Sequence, residues 1–83
     1  MEILYFAWVR ERIGTNCERI DPPADVQDVS GLIDWLATRS PAHAVAFADK
    51  SRLRAAIDQR FVGLEDSIAG AREVAIFPPV TGG

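Results

Sequence analysis

The segment Arg72-Glu73-Val74-Ala75-Ile76-Phe77 reads as an apolar strand that runs into Pro78-Pro79-Val80-Thr81 and then into Gly82-Gly83, where the sequence stops. Two terminal glycines bury no apolar surface and carry the largest backbone entropy of any residue type, so packing gives no reason for them. Chemistry does. A C-terminal carboxylate on a tip without side chains can pass through a narrow opening. As an ion it is a poor electrophile, but it becomes an acyl donor once one oxygen is converted to a good leaving group, as in a mixed anhydride. On this reading Gly83 carries the reactive group and Gly82 lets the tip thread without side-chain clash. Pro78-Pro79 favours an extended, semi-rigid lead-in that loses less entropy when it is threaded. Pro79 to Gly83 could reach roughly 15 Å beyond the domain at full extension. The competing reading, a frayed terminus, suits two bare glycines better than it suits glycines preceded by Ile76-Phe77-Pro78-Pro79-Val80-Thr81.

The rest of the chain offers little nucleophilic, acid–base or metal chemistry. Cys17 is the only cysteine and His43 the only histidine, so cross-links are excluded and no metal-ligand spacing exists. Cys17 stands between Asn16 and Glu18 with no adjacent cation to favour a thiolate, and reads as a structural strand residue. His43, alone in an alanine-rich stretch after Pro41, reads as a surface residue. One histidine gives no Ser/His/Asp set, and no glycine-rich loop resembles a nucleotide site. No cofactor is therefore expected on this chain, and any ATP site would belong to a partner.

The 83 residues form one domain, too small for a core plus a large enclosed active site. A chain this short usually needs cross-links, a metal or a partner for comfort, and a partner is the support left open. Net charge is −3 with both signs interspersed, which argues against a nucleic-acid surface. No apolar run approaches the ~20 residues of a membrane span. Met1-Glu2-Ile3-Leu4 lacks the basic flank and cleavage site of a signal peptide, and the expectation is a cytoplasmic protein.

The elements that must position the tail follow from periodicity. Residues 2–8 are β-branched and aromatic-rich and predict a strand, with Ile3, Tyr5 and Ala7 on one face and Leu4, Phe6 and Trp8 on the other. Such a strand is covered by protein twice, or covers a core on one side and a partner on the other. Val9 to Ile13 predicts a short helical turn closed by Gly14. Residues 16–21 predict a second strand, stopped by Pro22-Pro23 and forming a hairpin with the first. Asp28 or Asp25 caps a helix whose apolar face is Val29, Leu32, Ile33 and Leu36, with Trp35 at its margin and Ser40-Pro41 as its end. Residues 42–48 predict a second short helix. Leu53, Ala55 and Ile57 alternate with Arg54, Ala56 and Asp58 as a half-buried strand, and Asp58-Gln59 turns the chain into Arg60-Phe61-Val62. Residues 64–70 are irregular with Ile68 as a plug, and Glu73 to Phe77 is the last strand. One helix across one face of a mixed sheet is an α+β architecture, the arrangement of a β-grasp, and it leaves the opposite face uncovered. The expected division is a domain over 1–78 and an extended tail over 79–83.

Glu73-Val74-Ala75-Ile76-Phe77-Pro78-Pro79-Val80-Thr81-Gly82-Gly83 resembles the C-terminal signature of the small subunits of molybdopterin synthase, and Phe6-Ala7-x-x-Arg10-Glu11-x-x-Gly14 resembles their N-terminal pattern. With length and element order, the resemblance spans essentially the whole chain. Asp58-Gln59 departs from it where asparagine often stands first, with no evident chemical consequence. The resemblance implies a ubiquitin-like β-grasp sulfur carrier. A ubiquitin-activating-like adenylyltransferase adenylates the terminal glycine with ATP, sulfur replaces AMP, and the resulting 1-thioglycine delivers sulfur to cyclic pyranopterin monophosphate inside the large subunit. It also implies a heterotetramer of two small and two large subunits. Phe6, Phe61 and Phe77 match contact positions for those partners, Arg10 matches a charged rim position, and Pro78, Pro79, Val80 and Thr81 lie in the threaded segment. Read from the residues alone, core packing of the three phenylalanines is an even rival. Same-fold carriers for thiazole, cysteine or RNA thiolation, a lysine-conjugated modifier and a plain interaction domain are the other readings.

Overall fold

The first and last strands of the described chain lie side by side and parallel in the middle of the sheet. The computed structural model describes residues 1–79, with β1 (Glu2–Tyr5), α1 (Ala7–Ile13), β2 (Cys17–Arg19), α2 (Val29–Ala37), α3 (Pro41–Ala46), β3 (Arg54–Ile57), β4 (Arg60–Val62) and β5 (Glu73–Phe77). A 3-10 turn, Lys50–Arg52, leads into β3. The five strands are ordered β2-β1-β5-β3-β4. Ile3 pairs with Val74 and Tyr5 with Ile76, while every other neighbouring pair of strands is antiparallel.

The core forms between α2 and one sheet face. Asp28 caps α2 by accepting from the Gly31 N–H at 2.7 Å, which satisfies an orphan donor of the first turn. The stripe Val29, Leu32, Ile33 and Leu36 is completely buried, as are Ile3, Val74, Ile76 and Leu53. Each such side chain contributes about 1.5–3 kcal/mol by leaving water. Ile68, from the irregular segment, is buried as expected. Asp58 and Gln59 hold φ of +48° and +71°, the two left-handed residues of a tight hairpin turn.

Three boundaries differ from the sequence expectation. The first strand stops at Tyr5 rather than at Trp8, because α1 starts two residues earlier than the Val9–Ile13 turn and swings Val9 into the core with no exposure. Trp8 is therefore on a helix. Gly14, at φ +92°, closes α1 by donating its N–H to the Arg10 carbonyl at 2.8 Å. The β1–β2 pair is antiparallel as a hairpin would be, but α1 lies between the two strands and β2 is only Cys17–Arg19. At the third boundary, α2 ends at Ala37, and Ser40-Pro41 starts α3: Ser40 Oγ accepts from the His43 N–H at 3.1 Å and Pro41 occupies the first turn, where its missing N–H costs nothing.

His43 is not a surface residue. It is 7% exposed, and its Nε2 lies 2.7 Å from Glu18 Oε2 on β2. The Tyr5 hydroxyl donates to the same oxygen at 2.7 Å, and Ser40 Oγ lies 2.7 Å from His43 Nδ1. The ionised Glu18 carboxylate can only accept, so His43 Nε2–H donates to it, while Nδ1 and Ser40 Oγ share the other hydrogen bond. The rings of Tyr5, His43 and Phe47 pack together with centroids 6.1–6.3 Å apart. Burial pushes the Tyr5 phenol far up, and the Glu18 carboxylate adds to that. Burial also opposes ionisation of Glu18, but the hydrogen bonds from His43 and Tyr5, with the charge of Arg39 nearby, outweigh it and hold its carboxyl below the ordinary range. The tie joins β1, β2 and α3. The sequence around His43 is silent about this, because the partner carboxylate is 25 residues away.

A group whose folded pKa is depressed contributes stability above its unfolded pKa and loses it as pH falls through the folded value. Glu18 should therefore stabilise the fold fully above the ordinary glutamate value of 4.5 and progressively less below it. Glu18→Gln should lower the melting temperature at neutral pH and flatten its fall in acid, measured by circular dichroism across an acid series. An acid slope equal to that of the parent chain contradicts this role. His43→Ala should cost about 1–3 kcal/mol, since it strips a half-buried carboxylate of a donor and removes a buried ring.

Candidate functional site

The sheet face turned away from α2 is built from the alternate residues of the same strands. Register aligns Leu4, Ala75, Ala56 and Phe61 in one row across β1, β5, β3 and β4. Phe77, two residues beyond Ala75, shares their face. Ala56 and Ala75 form the floor of an open groove of about 360 Å³; Leu4, Phe6, Phe61 and Phe77 wall it, and Gln59 and Glu73 also line it. A smaller depression of about 210 Å³ continues between Arg54, Phe61, Val62 and Phe77. Small side chains on the floor, with rings around it, make a concave apolar surface rather than a flat one.

The three phenylalanines divide by exposure. Phe61 is 82% exposed and Phe6 47%, so neither belongs to the core. Phe77 is half-buried, its ring tilted 52° against Phe61 with centroids 5.8 Å apart. A phenylalanine left this far in water forgoes about 1.5–3 kcal/mol that burial would supply, a cost the isolated domain does not recover. The sequence placed Leu4 on one face with Phe6 but gave Ala56 and Ala75 no part in it, although their alternation with Ala55 and Val74 carries the signal.

The tail leaves this face directly. Phe77 is the last residue of β5, Pro78 follows it half-buried, and Pro79 is exposed. Val80, Thr81, Gly82 and Gly83, on which the acyl chemistry was read, lie outside the described residues. Arg10 does not reach the groove. It is exposed on α1, 3.7 Å from Glu11, and lines a separate polar depression with Gly14, Thr15 and Asn16.

No side-chain machinery accompanies the groove. Ser40, His43 and Glu18 have the distances of a hydrolytic relay, but Ser40 Oγ is the cap acceptor of α3 and both ring nitrogens of the buried His43 are engaged. Cys17 is exposed, opposite Leu4 at the sheet edge. Among the described residues, no group of three His, Cys, Asp or Glu side chains could hold a metal ion, and no helix is long and apolar enough to cross a membrane. The surface is suited to docking.

Residues 3–83 match the ThiS family. The chain is 39% identical over 83 residues to the molybdopterin synthase sulfur carrier subunit of Escherichia coli (strain K12), covering 100% of this chain and 99% of that protein. It is 34% identical, with the same coverage, to the molybdopterin synthase sulfur carrier subunit of Haemophilus influenzae. Among solved structures, SAMP1 from Haloferax volcanii shares the fold with a TM-score of 0.72 at 26% identity, covering 100% of this chain and 98% of that one. The architecture is the ubiquitin-like β-grasp expected from the sequence.

Because Phe61 makes almost no core contact, Phe61→Ser should change folding stability by no more than about 0.5 kcal/mol. It should also reduce binding of a fluorescent apolar probe to the groove. Chemical denaturation and probe titration measure both; a loss of stability comparable to a core truncation would place Phe61 in the core.

Proposed function

The chain belongs to the ThiS family, and from that premise we propose that it is the sulfur-carrying small subunit of a molybdopterin synthase, with Gly83 as the carrier group. The observation that carries the reading is the continuity of β5. The strand is fixed in the middle of the sheet, its outward residue Phe77 walls the exposed groove, and the next residues are Pro78-Pro79 of the tail. Docking of the groove and presentation of the tail thus belong to one rigid strand. A partner that covers Phe6, Phe61 and Phe77 fixes the origin of the tail to within the play of two prolines.

The chemistry divides between chains. The activating enzyme converts the Gly83 carboxylate to an acyl adenylate, and pyrophosphate leaves ATP. A sulfur nucleophile at the sulfide level (HS−) then forms a C–S bond at the same carbon as the C–O bond breaks; AMP and a proton leave, and a thiocarboxylate remains. In the large subunit the sulfur is transferred to cyclic pyranopterin monophosphate, and two deliveries complete the dithiolene of molybdopterin. This chain's own residues do three things. Gly82 and Gly83 admit backbone angles closed to other residues and pass a narrow channel. Pro78 and Pro79 favour an extended lead-in to Val80 and Thr81. The aromatic walls supply the anchors that dominate interfaces of this kind. The complete active site forms only in the complex, so the chain is an enzyme only as a subunit.

Intact-mass spectrometry after incubation with ATP, the activating enzyme and a sulfur source should show replacement of one oxygen by one sulfur at Gly83. No such gain with any activating enzyme would defeat the carrier reading, and lysine-linked adducts that survive thiol reductants would replace it with protein conjugation. Removal of Gly83 should abolish sulfur transfer with the melting temperature unchanged. Phe77→Asp should weaken large-subunit binding by at least about tenfold, the scale of one hot-spot side chain; unchanged affinity would assign Phe77 to packing alone.

A further inference from the structure

Although the net charge is −3, three arginines gather at one end of the sheet. At the end where β5 meets Pro78, the Arg52 guanidinium lies 5.0 Å and the Arg12 guanidinium 6.0 Å from the centroid of the Trp8 ring. Trp8 is held there because the chain crosses from β1 into α1 beside β5, with the Phe6 N–H donating to the Ile76 carbonyl at 3.3 Å. Arg54 is the register partner of Phe77, and it donates to the carbonyls of Leu53 at 2.8 Å and Ser51 at 3.2 Å. All three arginines are exposed, and none takes part in an ion pair within 4.0 Å among the described residues. Glu11, next to Arg12 in sequence, lies 3.7 Å from Arg10, and Asp49 bonds to Ser51 as the cap of the 3-10 turn while also feeling the Arg52 charge. At the opposite end of the same strands Glu2 and Glu73 are register neighbours, with Asp58 beside them. Arg19, Arg60 and Arg72 stand among those carboxylates, so that end is mixed in sign, whereas the three arginines mark the end where the tail begins.

We propose that Arg12, Arg52 and Arg54 form a cationic collar that takes an acidic surface on the large subunit receiving the tail. The proposal rests on the functional reading above and deepens it. Stacking on Trp8 and carbonyl hydrogen bonds already restrict these guanidiniums, so little further side-chain entropy is lost on pairing. The collar is continuous with the apolar groove, since Arg54, Phe61 and Phe77 line one depression. A protein seated on the groove and enclosing the tail must face it. An acidic surface around the mouth of the partner's channel also attracts the three guanidiniums during the approach. A nucleic-acid partner fits poorly, because three guanidiniums on an acidic chain are not a basic stripe.

The test uses the full chain and the large subunit in stopped-flow association at low and high salt. Wild-type association should slow steeply with salt. The triple variant Arg12→Glu, Arg52→Glu, Arg54→Glu should associate about tenfold or more slowly at low salt, with the deficit vanishing at high salt. The milder triple Arg→Gln variant should show a smaller deficit of the same salt dependence, and it serves if charge reversal disturbs the circular dichroism spectrum. Equal rates at low salt, or a deficit that persists at high salt, would overturn the collar while leaving the carrier function intact. Sedimentation showing that the wild type self-associates and the reversed variant does not would assign the collar to a second copy and overturn it likewise. A wild-type chain that does not bind the large subunit at all would defeat the functional reading itself.

Discussion

The parallel pairing of β1 with β5 is the constraint on which the rest depends. Parallel neighbours cannot be joined by a tight turn, so the whole intervening chain must cross over before the last strand can return beside the first. The crossover contains α2, which buries its apolar stripe on one face of the sheet. The same pairing seats β5 between β1 and β3 and stretches it toward Pro78. A strand bonded on both sides cannot shift register without moving every outward and inward residue to the wrong face. The tail therefore starts from the most firmly held strand of the fold, and the groove is built around that same strand.

The two faces of the sheet obey different demands. The inner face carries Ile3, Val74, Ile76 and Ala55 under α2 and is dry. The outer face is apolar too, but exposed, and its aromatic side chains are spread around two alanines. The sheet edges show how the molecule tolerates this. β2 and β4 are three residues each and carry Glu18, Arg19 and Arg60, so neither offers a long apolar edge for strand addition. Association is directed to the face instead, where pairing is by side-chain fit.

The polar tie of Tyr5, Glu18, His43 and Ser40 has a different task. α3 is a short helix with alanine at three of six positions, too few large apolar groups to anchor it by burial alone. A carboxylate on β2 that receives both a phenol and an imidazole fixes α3 against the edge of the sheet. Each buried polar atom of the cluster has a partner, so the desolvation cost is met within the cluster.

Much of this was legible in the sequence, wherever the signal is local. The stripe of α2, its Asp28 cap, the Asp58-Gln59 turn and the Ile68 plug each depend on neighbours within a few residues, and periodicity or turn chemistry reports them. The end of β1 was misplaced because strand propensity at Phe6, Ala7 and Trp8 yields to burial of Val9, a tertiary demand. Ser40-Pro41 was read as a stop, although the same residues start a helix as readily as they end one. His43 was misjudged because its partners lie on strands far away in sequence. The sequence by itself determined the amphipathic elements, since these are properties of contiguous residues. Only the tertiary structure decided that Ala56 and Ala75 floor a groove, that Phe6 and Phe61 stand outside the core, and that three arginines collect where the tail begins. The groove is a property of register, which brings residues from four strands onto one face, and the arginines meet because α1 and the 3-10 turn pack at the end of those strands.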